Sequence, residues 1–263
     1  MKKSIKILII VAVSLLVAGA IVMTIGFATT GFNFKNPSGY EEKTYNVEQQ
    51  FSKVTVSEIE RDVRFAISSD GSVKIKTYET EKLKLGVKVE DGVLKITRVD
   101  EKKWYEFIGV NFGWSDYMAT TVYLPAGEYD ALNLSVVSGD VNIPNNFTFE
   151  TAIINSVSGD VKMNANCKVK LEINTVSGEI DVSGVTAQEI KMNSVSGDIE
   201  IENSDASVID IESTSGDVDC AFNTGKSFLI DTVSGDVRVP QSDSNGGACY
   251  IKTTSGDIKI RIN

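Results

Sequence analysis

The 263-residue sequence contains no histidine. Histidine is the only side chain whose ordinary pKa lies between pH 5 and 8, and it is the base in Ser-His and Cys-His pairs. It is also the usual nitrogen ligand of zinc. Its absence argues against ordinary hydrolase chemistry, so we predict a protein that is not an enzyme and assign no catalytic residue and no cofactor.

Cysteine is scarce as well. Cys167, Cys220 and Cys249 are odd in number, far apart and in no CxxC spacing, so neither a disulfide framework nor a metal knuckle is predicted. Cys220 and Cys249 occupy apolar columns of a repeat described below, and we expect both to be small buried hydrophobic residues. Cys167 lies in a connecting segment and is assigned no function.

Net positive charge is missing too. The chain carries a formal charge of -10, and the first 30 residues hold three lysines and no acid, which leaves 23 basic and 36 acidic residues, a balance of -13, in the remainder. Such a surface repels nucleic acid and anionic lipid, so no nucleic-acid partner is predicted. It is compatible with cationic partners or metal ions, and equally with a role in solubility alone.

One long apolar run stands at the amino terminus. Residues 7–27 carry no charge and are long enough to cross a hydrocarbon core of about 30 Å as a helix. Because lysines precede the run, the positive-inside rule predicts a cytoplasmic tail at 1–6, an anchor at 7–27 and an extracytoplasmic remainder. A cleaved signal peptide is the alternative, with small residues at 18–20, but the run continues to Phe27 and favours a retained membrane anchor.

The chain after the anchor divides into a linker and a strand-rich region. Residues 28–44 are rich in turn-forming residues without periodicity, which predicts a linker. Residues 45–125 alternate apolar and polar residues between turn dipeptides such as Asp70-Gly71 and Asp91-Gly92, which predicts β-strands. We interpret 45–125 as divergent first coils of the body that follows, with a separate small β-domain as the alternative.

An aromatic cluster interrupts this region and contains both tryptophans of the chain. Clustered aromatic residues mark binding surfaces or membrane-interface contacts, or else they cover the end of a core. The cluster is a candidate partner surface formed by Trp104, Tyr105, Phe107, Phe112, Trp114 and Tyr117.

The remaining half of the chain, 126–263, repeats a Val-Ser-Gly-Asp-Val phrase seven times. The spacing between successive glycines is 20, 19, 19, 19, 19 and 21 residues, and these are Gly139, Gly159, Gly178, Gly197, Gly216, Gly235 and Gly256. The positions seven and five before each glycine, and two and four after it, are almost wholly apolar. Alternation on both sides of the glycine predicts two strands per repeat and an all-β fold, a β-solenoid or β-helix whose repeats of about 19–20 residues stack around a continuous core.

The Ser-Gly-Asp phrase itself is interpreted as a corner. Glycine accepts a positive φ without steric cost, and the neighbouring serine and aspartate bond nearby backbone amides. Stacking also aligns one acid per repeat, which makes a candidate cation column of Asp140, Asp160, Glu179, Asp198, Asp217, Asp236 and Asp257. One acid per turn favours turn formation over calcium ligation, so no metal is assigned.

The last strand, 258–263, has no helix or loop after it in the sequence. An uncovered edge invites pairing with another chain. We expect this end to dock a partner protein or a second copy, with Lys259 and Arg261 as outward charges that limit indiscriminate pairing.

The set of motifs resembles a known family. The serial Val-Ser-Gly-Asp-Val phrases, with Asp-Gly-Val-Leu-Lys-Ile at 91–96 and Val-Tyr-Leu-Pro at 122–125, resemble the putative-adhesin family of bacterial β-solenoid domains, a domain of unknown function that includes LiaG-like membrane-anchored proteins. The resemblance covers 45–263. It implies a Gram-positive, membrane-tethered surface protein with an adhesive or sensing role, and it brings no catalytic residues.

Together these features predict a non-catalytic extracytoplasmic binding or scaffold module of the bacterial cell envelope. The first alternative is a regulatory partner of a membrane envelope-stress signalling complex. The lower alternative is a carbohydrate-binding or carbohydrate-cleaving β-helix protein, supported by the aromatic cluster alone. The five-residue links between repeats, such as 203–207, are too short to wall a catalytic cleft.

Overall fold

The computed structural model describes residues 40–100 and 119–263. These residues are all-β, with twenty strands and one short 3-10 helix. Within the two described ranges, no helix has the length and apolar composition to cross a membrane. The predicted tail, the anchor at 7–27, most of the linker and the aromatic cluster lie outside the described residues.

The strands vary in length from two residues to seventeen. In chain order they are β1 (Glu41–Val47), β2 (Lys53–Glu58), β3 (Asp62–Ile67), β4 (Val73–Glu79), β5 (Leu83–Glu90), β6 (Val93–Asp100), β7 (Ala119–Leu124), β8 (Gly127–Ser138), β9 (Val141–Ile143), β10 (Phe147–Ser158), β11 (Val161–Met163), β12 (Asn166–Ser177), β13 (Ile180–Ser183), β14 (Thr186–Ser196), β15 (Ile199–Ser215), β16 (Val218–Phe222), β17 (Ser227–Ser234), β18 (Val237–Arg238), β19 (Ala248–Ser255) and β20 (Ile258–Ile262). The 3-10 helix, Ser244–Gly246, lies between β18 and β19.

The strands form two ladders, and most of their pairs are parallel. The first ladder has the order β5, β6, β2, β8, β10, β12, β14, second half of β15, β19, β17. The second has the order β1, β4, β7, β3, β9, β11, β13, first half of β15, β16, β20, β18. Each repeat gives one strand to each ladder, so the prediction of an all-β, solenoid-like fold is confirmed.

The predicted apolar columns form the core between the ladders. In the coil around Gly197, for example, Ile190 and Met192 lie before the corner and Ile199 and Ile201 after it, and all four are buried. The same four positions are buried in the coils around Gly139, Gly159, Gly178, Gly216 and Gly256. The period-two pattern therefore identifies the inward faces correctly.

The strands β10 and β12 also contribute buried residues that the period-two pattern misses. The pairing of β10 with β12 shifts register between Phe149 and Thr151, a β-bulge that bends the strand. Phe147 and Phe149 lie before this bend and are buried. Cys167 occupies the equivalent place in the next coil, so it lies in the core and not in a surface connection.

The corner glycines stack directly on one another. Gly178 has φ +146°, and a Cβ built on it would lie 2.2 Å from the carbonyl oxygen of Gly159. Gly197 stands over Gly178 in the same way. Glycine is required here both for the backbone conformation and for the close approach of the next coil.

The two ends of the stack are interleaved. The coil made by β6 and β7 lies outside the earlier coil made by β2 and β3. At the other end, the coil made by β19 and β20 lies between the Gly216 coil and the coil made by β17 and β18. The last coil in the sequence is therefore second from its end of the stack, and the β2–β3 coil lies inside β6–β7 although it comes earlier in the chain.

This order corrects one prediction. The last strand, β20, is an open edge only in part, because it pairs along its whole length with β16 on one side and, among the described residues, through Ile258 and Lys259 alone with β18 on the other. The outermost coil is β17–β18, in which Leu229 and Val233 are 64% and 81% exposed. Residues 239–247 connect β18 to β19, and this long connection lets the chain pass back between the outermost coil and the Gly216 coil. Whether this end associates with a partner stays a prediction.

Candidate functional site

A groove runs along the outside of the first ladder across five neighbouring coils, with a volume of about 690 Å³. Three columns line it, at the positions four, three and two residues before each corner glycine. The lining residues are Asn155, Ser156, Asn174, Thr175, Val176, Asn193, Ser194, Val195, Glu212, Ser213, Thr214, Lys252 and Thr254. This surface is called the ladder groove below.

The groove lies between two outward columns just before each corner. In β12 the alternation of buried and exposed residues runs as far as Thr175, and the next two residues, Val176 and Ser177, are both exposed. The same pattern ends β10, β14, β15 and β19. Thr175 and its equivalents have buried side chains, and their backbone forms a floor between one column of asparagines and another of valines and threonines.

The asparagine wall is a hydrogen-bonded ladder. Asn174 donates through Nδ2 to Oδ1 of Asn155 at 2.9 Å, and Asn193 donates through Nδ2 to Oδ1 of Asn174 at 2.6 Å. These bonds hold the amides of successive coils in the same orientation. Asn174 also donates through Nδ2 to Oε1 of Glu172 at 3.2 Å. An amide oxygen has two lone pairs, and Oδ1 of Asn155 and of Asn174 each accepts one ladder bond, which leaves a second lone pair for a molecule in the groove.

The floor hydroxyls divide into two kinds. Ser156 and Ser194 donate to the carbonyl oxygens of Gly159 and Gly197, at 3.4 Å and 3.1 Å. Thr175 and Ser213 are only 5% and 7% exposed, and their hydroxyl oxygens have no hydrogen-bond partner within the described ranges. Both hydroxyl oxygens are enclosed on the buried side of the strand, so the groups that the groove presents are the asparagine amides and the side chains of the opposite wall.

The opposite wall is apolar along part of its length. Val176 and Val195 are half-exposed, and Val137 and Val157 continue the same column in the preceding coils. Charged side chains occur only toward one end of the groove, where Glu212 and Lys252 line it. The central part therefore combines neutral hydrogen-bonding groups with exposed methyl groups.

The predicted acidic column lies at the corners, outside the ladder groove. The amide of Asp160 donates to Oδ1 of Asp140 at 2.9 Å, and the amide of Glu179 donates to Oδ1 of Asp160 at 2.9 Å. Equivalent bonds link the later coils through Asp198, Asp217, Asp257 and Asp236. Five of these carboxylates thus each satisfy a backbone donor of the next coil, as a turn-forming residue does, and they belong to Asp140, Asp160, Asp198, Asp217 and Asp257.

Residues 40–100 and 119–263 contain no group of three or more Asp, Glu or Cys side chains that could hold a metal ion. The acidic column places its members one per coil, and their oxygens accept from amides.

A second group of acids lies on the outer face of the second ladder. Asp181, Glu200 and Asp219 occupy equivalent places in successive coils. Lys162 pairs with Asp181 at 2.6 Å on one side of the group, and Lys259 pairs with Asp219 at 2.9 Å on the other. Partial burial, with a further contribution from the neighbouring acids, raises the pKa of Glu200, which lies between them.

The remaining predicted site residues do not contribute to the groove. Lys259 and Arg261 both bind Asp219 of the neighbouring coil, at 2.9 Å and 2.8 Å. Trp104, Tyr105, Phe107, Phe112, Trp114 and Tyr117 lie outside the described residues.

The three cysteines are unpaired and buried. Burial raises the pKa of Cys167 and of Cys249 to about 12, and it raises the pKa of Cys220 well above its ordinary value. Because a thiolate is the nucleophilic form, these thiols are unreactive at neutral pH. The prediction that Cys220 and Cys249 are buried is confirmed.

Comparison with known proteins identifies the family. The model of the Toastrack DUF4097 family matches residues 51–263. The chain belongs to this family. No curated protein matches this chain.

Three solved structures are similar to this chain, and the first of them shares its fold. A putative adhesin from Bacteroides fragilis has a TM-score of 0.56 and 21% identity, with 85% of this chain and 98% of that chain covered. A putative cell adhesion protein from Clostridium sporogenes has a TM-score of 0.45 and 12% identity, covering 85% and 100%. A putative adhesin from Parabacteroides distasonis has a TM-score of 0.42 and 16% identity, covering 84% and 98%.

Sequence reasoning did not identify the ladder groove in this Toastrack domain. Its signal was present, because asparagine recurs four residues before the glycine at 155, 174 and 193, and serine or threonine recurs one residue later. A repeated outward asparagine has no role in the core. Such a column indicates a surface ladder, although the missing partners of Thr175 and Ser213 require coordinates.

Proposed function

We propose that this protein is a non-catalytic binding or scaffold module of the bacterial cell envelope. The observation that carries the proposal is the ladder groove, a surface lined by a hydrogen-bonded ladder of asparagine amides and by half-exposed valines. Fixed polar groups arranged before a ligand arrives reduce the cost of ordering on binding. The adhesion-related descriptions of the structural neighbours support the same class of function.

The proposal includes a location. Residues 7–27 anchor the protein in the cell membrane of a Gram-positive bacterium, with the amino terminus in the cytoplasm and the β-domain outside. The support is the uncharged run preceded by lysines and the positive-inside rule. The linker then holds the ladder groove within reach of envelope polymers.

Surface proteolysis of intact cells tests this location. Full-length protein with a carboxy-terminal tag should stay in the membrane fraction after alkaline washing and lose its tag when protease is added outside. A tag that survives until the cells are lysed would contradict the proposed orientation. Recovery of a shortened protein in the medium would instead indicate a cleaved signal peptide.

Retention of envelope material tests the binding role. Full-length protein immobilised through its tag should retain purified cell-wall material and release no soluble fragments from it. Failure to retain any envelope fraction would overturn the proposal. Steady release of fragments would show catalysis.

A second candidate is a regulatory partner of a membrane envelope-stress complex. The observation that favours it is the outermost strand, β17, whose Leu229 and Val233 are largely exposed and which leaves one edge of the first ladder open. In-cell cross-linking from position 233 should then capture a membrane protein. Capture of a second copy would indicate self-association, and no adduct would contradict this candidate.

A further inference from the structure

We infer that the ladder groove binds a neutral, β-linked sugar chain that lies along the stacking direction of the coils. This inference rests on the proposed binding function and names the ligand class of that site. The ligand is an extended chain of pyranose rings, with each ring facing about one coil.

The first argument is the spacing of the groove. Successive coils present the same asparagine and methyl groups at the strand separation of about 4.8 Å. An extended β-linked sugar chain advances by nearly this distance with each ring. An extended peptide advances about 3.4 Å per residue and presents the same face only every second residue, so it falls out of step with the coils.

The second argument is the chemistry of the lining. Sugar hydroxyls both donate and accept hydrogen bonds, and so do asparagine amides. Asn155, Asn174 and Asn193 line the groove in three successive coils. A sugar hydroxyl donates to the amide oxygen of each coil, while Val176 and Val195 offer methyl groups to the C–H face of a ring.

The third argument is charge. The centre of the groove is neutral, and its one lysine, Lys252, lines the same groove as Glu212. The chain as a whole carries -10, which disfavours the approach of an anionic polymer. A neutral glycan avoids this repulsion.

The fourth argument concerns a peptide ligand. Peptides that bind to β-sheets usually add a strand to a free edge. Beneath the groove, β12 pairs with β10 and β14, and β14 pairs with β12 and β15. Their backbone groups are used within the ladder, so the groove offers side chains only, which suits a sugar chain.

Calorimetric titration with cellohexaose tests the inference. The full-length protein is used in a detergent without a sugar head group, and the wild type is expected to show saturable binding. The double variant Asn155→Ala, Asn193→Ala should bind about tenfold more weakly, because it removes two amide groups that hydrogen-bond the ligand. Both side chains lie outside the buried positions of their strands, so the fold should be retained.

A blocking variant and its control sharpen the result. Asn174→Arg places a long charged side chain in the groove wall and should abolish binding. Asn133→Arg changes the same residue type at an exposed position of the first ladder outside the groove and should leave binding unchanged. Thermal melting of each variant checks that it is folded.

Three outcomes would overturn the inference. They are no binding of cellohexaose to the wild type, equal binding by Asn174→Arg, and saturable binding of a neutral peptide in preference to the sugar. If Asn174→Arg still retains cell-wall material, the groove assignment is wrong while the proposed function stands. If the wild type retains no such material, the proposed function itself fails.

Discussion

The regular middle coils and the two interleaved ends hold their charges in different ways. In the middle, ion pairs such as Lys191–Asp210 are about one-third exposed. At the amino-terminal end, Arg98 binds Glu58 through two bonds of 2.8 Å and 2.7 Å, and both side chains are 1% exposed. At the other end, Lys226 is fully buried and binds Asp205 and the carbonyl oxygen of Ala206.

This difference indicates how the order of the coils is set. The middle coils have nearly identical apolar columns, so the columns alone do not determine which coil packs on which. A buried ion pair is satisfied in one arrangement only, because separating the partners leaves uncompensated charges in the core. Our hypothesis is that Glu58–Arg98 fixes β6 beside β2, and that Lys226 fixes the link preceding β17 beside β15.

The largest predicted effect comes from breaking the amino-terminal pair. Glu58→Ala leaves the Arg98 guanidinium buried without its carboxylate and should lower the free energy of unfolding by about 3–5 kcal/mol. Asp210→Ala, which breaks an exposed pair, should cost about 0–1 kcal/mol. Urea denaturation measures both, and equal losses would contradict the distinction.

The double variant Glu58→Leu, Arg98→Leu tests the hypothesis about order. Replacing a buried pair by apolar residues is often neutral or stabilising, so stability should be largely kept. If the pair specifies coil order, amide exchange in β2 and β6 should become faster although the protein remains folded. Unchanged exchange would limit the pair to a role in stability.

The next effect concerns the corners of the middle coils. Gly178→Ala places a Cβ against the carbonyl oxygen of Gly159 and requires an unfavourable φ, so it should cost about 3 kcal/mol. Gly184 also has a positive φ but has no neighbour within 4 Å of a built Cβ. Gly184→Ala should therefore cost only about 1 kcal/mol, and a similar loss in both would show that crowding contributes little.

A smaller effect is predicted for the acidic column. Asp160 accepts from the amide of Glu179, whereas the longer Glu179 accepts no such bond from Asp198 in the described residues. Asp160→Ala should therefore cost about 1 kcal/mol, and Glu179→Asp should gain up to about 1 kcal/mol by completing the series. Melting temperatures with and without calcium check both changes, and a calcium-dependent gain would favour the cation-column alternative.

The smallest effect depends on pH. Burial and neighbouring acids raise the pKa of Glu200 above its ordinary value of 4.5, so its charge is unfavourable to folding at pH 7 and the penalty disappears as the group is protonated on acidification. Glu200→Gln should raise the melting temperature slightly at pH 7, and the difference should vanish below about pH 4.5. A difference that persists in acid would contradict this account.

Glu90 provides the opposite case. Hydrogen bonds from Lys88 and Lys95 lower its pKa to about 2, so its charge favours folding at pH 7 and this contribution is lost as the pH falls toward 2. Glu90→Gln should therefore lower the melting temperature at pH 7. The two variants should converge with the wild type at low pH from opposite sides.

The sequence was sufficient to predict the middle of the stack. The columns represented by Ile190, Met192, Ile199 and Ile201 and the corner at Gly197 follow from alternation and period, because every neighbour of a middle coil is another copy of the same pattern. Those positions are buried as predicted.

The ends were not predictable in the same way. The strands β17 and β19 have equivalent columns, so periodicity does not say which lies outside, and the longer 21-residue spacing between Gly235 and Gly256 was the one hint. Glu58 and Arg98 are 40 residues apart, and nothing in the local pattern pairs them. Such contacts arise from tertiary order, which a local pattern does not encode.

Methyl NMR of the full-length protein during titration with cellohexaose tests the central claim about the ladder groove most directly. The account predicts that the methyl resonances of Val176 and Val195 shift, while those of Val169 and Val208, which are exposed outside the groove, do not. Shifts concentrated at Val169, at Val208 or on β17, or no shifts at a saturating concentration, would contradict it.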